Sequence, residues 1–157
     1  MVNFLLIYPE LTYYSKKEID QGNTPSEIYK ICSSIKETFC LSYSIRKENN
    51  LYLYFLNNNI SIKLIGNKLR YMGSDERSQA LLLNKAIKKL EKYFISELTE
   101  WKESTPGFFI KSFSSFEQFL KKEEGFDISS FIYIIHGSEL ENKAPISISY
   151  FNDLPLD

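Results

Sequence analysis

The spacing of apolar residues changes period several times along the chain. Val2 to Tyr8 is a nearly unbroken apolar run and predicts a first strand. Thr24-Pro25-Ser26-Glu27 reads as a helix start, with Thr24 as N-cap, Pro25 at the first helical position and Glu27 at the third. Ile28, Ile31, Cys32, Ile35 and Phe39 then recur at helical spacing, which predicts an amphipathic helix to about Cys40. Leu51 to Leu56 and Ile60 to Ile65 read as strands joined at Asn57-Asn58-Asn59, a hairpin signal. Gly66-Asn67 gives a second turn, with a short extended piece at Lys68 to Met72.

Ser74 is placed to cap a helix reaching about Phe94, with Asp75 and Glu76 in its first turn. A polar loop containing Trp101 leads to Ser104-Thr105-Pro106-Gly107 and a strand at Phe108 to Lys111. Phe113 to Glu123 reads as a short helix stopped by Gly125. Phe131 to Ile135 is wholly apolar, as in a buried parallel strand, and Ile146 to Tyr150 is a last strand. This alternation predicts an α/β fold: a mostly parallel sheet with helices on both faces.

Composition narrows the class. The chain has 157 residues, 43% hydrophobic and 25% charged, which suits a single domain over 1–157 with a real core. The C-terminal end reads as too short to add a further unit. Eleven Tyr and 12 Phe favour a sheet-based core. The net charge of −1 excludes a globally basic nucleic-acid binder and leaves only local patches. No run of about 18 apolar residues is present, and MVNFLLIYPE reads as a strand rather than a signal peptide. Cys32 and Cys40, if on one helix, stand about 12 Å apart, too far for a bridge. They read as core thiols of a protein in a reducing, cytoplasmic setting. One His and two Cys argue against a metal centre.

Four constellations could carry chemistry. On the helix after Ser74, Ala80, Leu83, Ile87, Leu90 and Phe94 share one side, and Arg77, Lys85, Lys88, Lys89 and Lys92 the other. The basic side could track a phosphate backbone, and it equally suits a solvated outer face. Asp75 and Glu76 could orient a substrate or simply complement the helix dipole. Ser104-Thr105-Pro106-Gly107 could expose donors to an anion, or be a plain turn into a strand. His136-Gly137 follows the Phe131–Ile135 run, where ligands sit in α/β sheets, although a lone His there is commonly structural.

Taken together, these segments resemble a known family. Phe39 to Arg46 (FCLSYSIR) is similar to its FxLSxxIR stretch, and Ser61 to Gly66 (SIKLIG) to its xIKFxG strand. Ser74-Asp75-Glu76-Arg77-Ser78 with Asn84 to Lys89 resembles its PDERN…KKALKK motif. Trp101 with Ser104 to Lys111 (STPGFFIK) resembles W…STPGIYVR, and Ile132 to Gly137 resembles IYYLH…G. The family is the archaeal tRNA pseudouridine-54 N1-methyltransferases of the SPOUT class, and the collinear matches run from Pro25 to Asn142. Ser74 and Ser78 replace the family's Pro and Asn, and Thr24-Pro25 replaces a GR pair. The stretch from Ile146 to Asp157 does not follow the family's "GDHIGI"-like loop and knot-forming helix, so the resemblance implies an incomplete or truncated C-terminal knot.

The resemblance implies a SPOUT-like, Rossmann-like fold, S-adenosylmethionine as cofactor if the chain is active, a homodimer, and a tRNA substrate. RNA-binding residues would be Arg46, Arg70, Arg77, Lys85, Lys88, Lys89, Ser104, Thr105 and Lys111. Asp75 and Glu76 would be the catalytic acids, and His136 and Gly137 the remnant of a cofactor loop. The expected function is binding of structured RNA without self-sufficient catalysis. Alternatives are an active methyltransferase completed by a partner or a further segment, and a non-catalytic interaction protein. A metal-dependent nuclease built on Asp75 and Glu76 ranks last.

Overall fold

A computed structural model describes residues 2–93 and 98–122, together with the backbone of a strand at 131–135. Its strands are β1 (Val2–Tyr8), β2 (Asn49–Phe55), β3 (Ile60–Ile65), β4 (Lys102–Thr105), β5 (Phe108–Ser112) and β6 (Phe131–Ile135). Its helices are α1 (Lys16–Asp20), α2 (Ser26–Phe39), α3 (Glu76–Lys92) and α4 (Phe116–Lys122), with a 3₁₀ turn at Gly66–Lys68. The strands form one sheet in the order β4-β5-β3-β2-β1-β6.

The α/β class stands, with one correction: the sheet is mixed rather than mostly parallel. β1 lies parallel to β2 and to β6, whereas the β2–β3, β3–β5 and β4–β5 pairs are antiparallel. The cause is local. The Asn57–Asn59 hairpin turns the chain back at once, with Asn59 in the left-handed region at φ 50°, and no crossover helix intervenes. Of the parallel neighbours, β1 and β2 are joined by a connection that carries α1 and α2, whereas the antiparallel neighbours β2–β3 and β4–β5 are joined by tight turns.

Helices cover both faces, and the alternation within each strand shows why. Leu51, Leu53 and Phe55 of β2, with Ile62 and Leu64 of β3, pack against Ile28, Ile31 and Ile35 of α2 and Leu83 and Ile87 of α3. Tyr54, one step out of phase, faces the other way with Leu5 and Ile7 and meets Phe113, Phe116 and Phe119 around α4. Tyr54 lies 4.9 Å from both Phe116 and Phe119 between ring centroids, edge-on to the first and tilted to the second. Each fully buried large side chain in these cores contributes about 1.5–3 kcal/mol of burial free energy.

Element boundaries differ from expectation in instructive ways. α2 begins at Ser26 with Pro25, not Thr24, at the cap and no side-chain cap bond, because proline's fixed φ serves the capping position as well. α3 is capped by Asp75 rather than Ser74: its carboxylate accepts the Ser78 N–H at 2.9 Å. Lys68 closes the 3₁₀ turn, so the extended piece expected over Lys68–Met72 begins one residue later, at Leu69. α1 and β4 were not anticipated. The Ser15–Glu18 capping box that starts α1 is legible in sequence. The short polar strand β4 is not, since it takes its place only by pairing with β5. α4 starts at Phe116 instead of Phe113, whose backbone N–H instead reaches Asn59 O. Phe94, Gly125 and Ile146–Tyr150 lie outside the described residues.

Gly66 sits where a side chain cannot. A Cβ there would lie 2.5 Å from Asn49 O, 2.6 Å from Arg46 O and 3.0 Å from Lys47 O, all backbone atoms. Gly66→Ala is therefore expected to destabilise the fold by about 2–3 kcal/mol. Urea unfolding should show a lower midpoint with an unchanged slope; an unchanged midpoint would mean that this loop is not held against the strand end.

Candidate functional site

The strand registers bring four separate segments to one end of the sheet. Asn49, the first residue of β2, pairs with Val2, and Asn50 pairs with Ile65, the last residue of β3. The loop from Cys40 to Glu48, which precedes β2, thus lies beside Gly66. The Ile65 N–H donates to Gly107 O at 2.9 Å, so the Thr105–Phe108 turn is at the same end. Gly107 has φ +93°, and a Cβ on it would sit 2.7–2.9 Å from Leu69. The fourth segment, the start of α3, is tied in through Gly73: its carbonyl accepts from Gln79 Nε2 at 3.1 Å and from the Cys40 thiol at 3.8 Å.

Between the Cys40–Lys47 loop and Met72–Ser74 these contacts leave an open cleft of about 430 Å³. A backbone bond from Leu41 N to Ser44 O, a second from Arg46 N to Phe39 O and a Cys40–Ile45 bridge fix the loop that forms one wall. Tyr43 stands fully exposed at its tip, and Tyr71 is exposed near the opposite wall.

The residues singled out from sequence fall into three groups. Arg46 and Arg70 lie at the clustered end. Arg46 donates to Glu37 O at 2.7 Å, and Arg70 to the carbonyls of Asn67 and Leu69 at 3.0 Å each. Ser104 and Thr105 are there too. The Ser104 hydroxyl reaches Phe108 O at 3.4 Å, and the buried Thr105 Oγ1 has no partner among the described residues. Lys85 and Lys88 form a second group, exposed along α3. Lys111 lies apart, in β5 opposite Ser61, with its amine 4.9 Å from the Phe113 ring centre.

Two further basic residues are also engaged. Lys89 donates to Glu103 O. Arg77 pairs with Asp20 at 2.7 Å, and Asp20 also meets Lys16 at 2.6 Å. Tertiary packing makes the Arg77 pair: Tyr14 donates to Ala80 O and Asn84 Nδ2 to Tyr14 O, which clamps the segment before α1 onto α3. Hydrogen bonds from Lys16 and then Arg77 hold the Asp20 carboxyl below the usual carboxylate range. Of the two acids, Asp75 is committed to its cap, while Glu76 is half-buried in the first turn. Cys32 is buried, and burial pushes its thiol up to about 12. Cys40 is half-exposed at the cleft, its thiol also raised by burial. Among the described residues no cluster of His, Cys, Asp and Glu could hold a metal, and no helix is long and apolar enough to cross a membrane.

The opposite end of the sheet, beyond the carboxyl ends of β1 and β2, is where α/β folds place ligands. There several of the described polar groups bond to one another, although the buried Ser61 hydroxyl has no partner among the described residues. Leu56 N donates to Tyr8 O, Asn57 N to Pro9 O, Leu11 N to Asn58 Oδ1, and Tyr54 Oη to Asn59 Oδ1. These residues alone do not fit an S-adenosylmethionine site. His136 and Gly137, which follow β6 at that end, lie outside the described residues.

Comparison with known proteins gives a consistent picture. A family described as "Putative SAM-dependent RNA methyltransferase" matches residues 18–144. The tRNA (pseudouridine(54)-N(1))-methyltransferase of Methanocaldococcus jannaschii is 31% identical over 118 residues, 71% of this chain and 56% of the relative. The protein of the same name from Methanococcus aeolicus is 33% identical over 119 residues, 71% of this chain and 53% of the relative. That from Methanococcus maripaludis is 35% identical over 116 residues, again 71% of this chain. The chain spans about half the length of the relatives it matches.

The Asp20 pairing has a pH signature. A carboxyl whose folded pKa is depressed adds stability above its unfolded value of about 3.9. That stability is lost as pH falls through the lower folded value. Carbon-detected NMR should find Asp20 titrating below the other exposed carboxyls, and Lys16→Met with Arg77→Met should return it to the ordinary range. An ordinary value in the native chain would mean the pairs do not persist in solution.

Proposed function

Since the chain belongs to the family of S-adenosylmethionine-dependent RNA methyltransferases, we propose that its described residues serve to bind structured RNA, with tRNA as the substrate class. The carrying observation is the convergence of the Cys40–Glu48 loop, Gly66–Arg70, the start of α3 and the Ser104–Gly107 turn at one end of the sheet. In this reading Arg46, Arg70, Ser104 and Thr105 meet the RNA at that end. Lys85 and Lys88 extend the contact along α3, where phosphate contacts position the nucleic acid without reading its sequence. Arg77 and Lys89 hold elements in place; Lys89 adds charge at a distance, whereas the charge of Arg77 is offset by Asp20. Lys111, on another part of the sheet, is a peripheral contact at most, and Glu76 is better placed than Asp75 to act as an acid or base.

S-adenosylmethionine supplies an activated methyl group in the family's reaction, and the protein's share is to orient the acceptor. The RNA-facing residues cluster at the end of the sheet opposite the carboxyl ends of β1 and β2. This supports RNA recognition, rather than cofactor binding, as the contribution of the described part. A homodimer whose copies each present this end would enlarge the contact.

A double reversal, Lys85→Glu with Lys88→Glu, should weaken binding of unfractionated tRNA about 10-fold or more at low salt and flatten the salt dependence. Unchanged affinity in a filter-binding titration would remove α3 from the interface. Calorimetry of the 157-residue chain should give no heat with S-adenosylmethionine alone. A clear isotherm would favour the second reading, an active methyltransferase.

A further inference from the structure

The cleft at the clustered end has a chemistry of its own. Its tip residue, Tyr43, presents a whole aromatic ring to water on a loop pinned by two backbone bonds and a β-bridge. Met72 supplies a half-buried apolar wall on the facing segment. The hydroxyls of Ser42, Ser44 and Ser74 and the amine of Lys47 line the same space and make no hydrogen bond to any described residue. No carboxylate side chain lines it.

We infer that this cleft receives one unpaired nucleotide of the bound RNA, its base stacked on Tyr43 and its phosphate held by Lys47. The inference rests on the RNA-binding reading above and adds where a splayed-out base goes. A volume of about 430 Å³ is within the range of small-ligand sites, which is about 300–1,000 Å³. Flat aromatic faces accept any base. Neutral hydroxyls can donate to or accept from a base edge, and a single ammonium unopposed by acid suits one phosphate. The pinned loop keeps the stacking platform in place before the ligand arrives, so little ordering cost falls on binding. Gly73 lets the wall that carries Ser74 pack closely on the start of α3: a Cβ on it would lie 2.6 Å from Asp75 Oδ1 and 2.9 Å from Ser78 Oγ.

The experiment uses the 157-residue chain and two RNA hairpins that differ only in one unpaired nucleotide, read by fluorescence anisotropy. The native chain should bind the hairpin with the unpaired nucleotide about 10-fold more tightly. Tyr43→Ala should erase that margin while still binding both hairpins, and Tyr43→Phe should keep it. With 4-thiouridine at the unpaired position, irradiation should attach the RNA to the peptide containing Tyr43. Tyr43 is fully exposed, so its replacement does not threaten folding. Equal affinity for the two hairpins, or a margin that survives Tyr43→Ala, overturns the cleft assignment and leaves the RNA reading standing. No binding of either hairpin, nor of tRNA, overturns both.

Discussion

Three backbone carbonyls, from Arg46, Lys47 and Asn49, close around Gly66 at distances no side chain would permit. That approach seats the loop before β2 on the turn after β3. It thereby sets the height of the loop above the sheet, the position of Leu69 beneath Gly107, and the gap facing Met72–Ser74. Gly107, at positive φ, allows the β4–β5 hairpin to turn against Leu69 in the same crowded space. Loops normally vary because little packs against them. Here four are packed against one another by the contacts at Gly66, Gly107 and Gly73.

The frame itself depends on a division of the sheet faces. The α2–α3 face is aliphatic and broad, and the α4 face is smaller and aromatic. The wider core fixes α3, whose outer side is left to Lys85 and Lys88. The Asp20–Arg77 pair is exposed, and such pairs add little stability. Its consequence is electrostatic and positional: it offsets one cation of the basic face and ties α1 to the start of α3. The basic character of this end is therefore narrower than a helical wheel suggests.

Family membership and geometry constrain function in different ways. The family is one described as "Putative SAM-dependent RNA methyltransferase", and the chain spans about half the length of its relatives. The geometry brings the Cys40–Glu48 loop, Gly66, the start of α3 and the Ser104–Gly107 turn to one end of the sheet. A motif match alone could not show this convergence, because FCLSYSIR, SIKLIG, SDERS and STPG are far apart along the chain.

The sequence by itself determined the strands β1, β2, β3, β5 and β6, the cores of α2 and α3, and the residue types of the candidate site. Period and turn chemistry are local properties, and each of these elements buries a side that its own residues define. Tertiary structure decided the rest. Strand direction on the β3–β5–β4 side follows from which edges find partners, and β4 exists only through that pairing. The neutralisation of Arg77 by Asp20 requires Tyr14 and Asn84 to clamp a distant segment onto α3. The cleft requires the backbone approach at Gly66 and the contact between Cys40 and the Gly73 carbonyl, which no periodicity encodes. These are contacts between residues remote in sequence, and their free energy becomes available only once the sheet has brought them together.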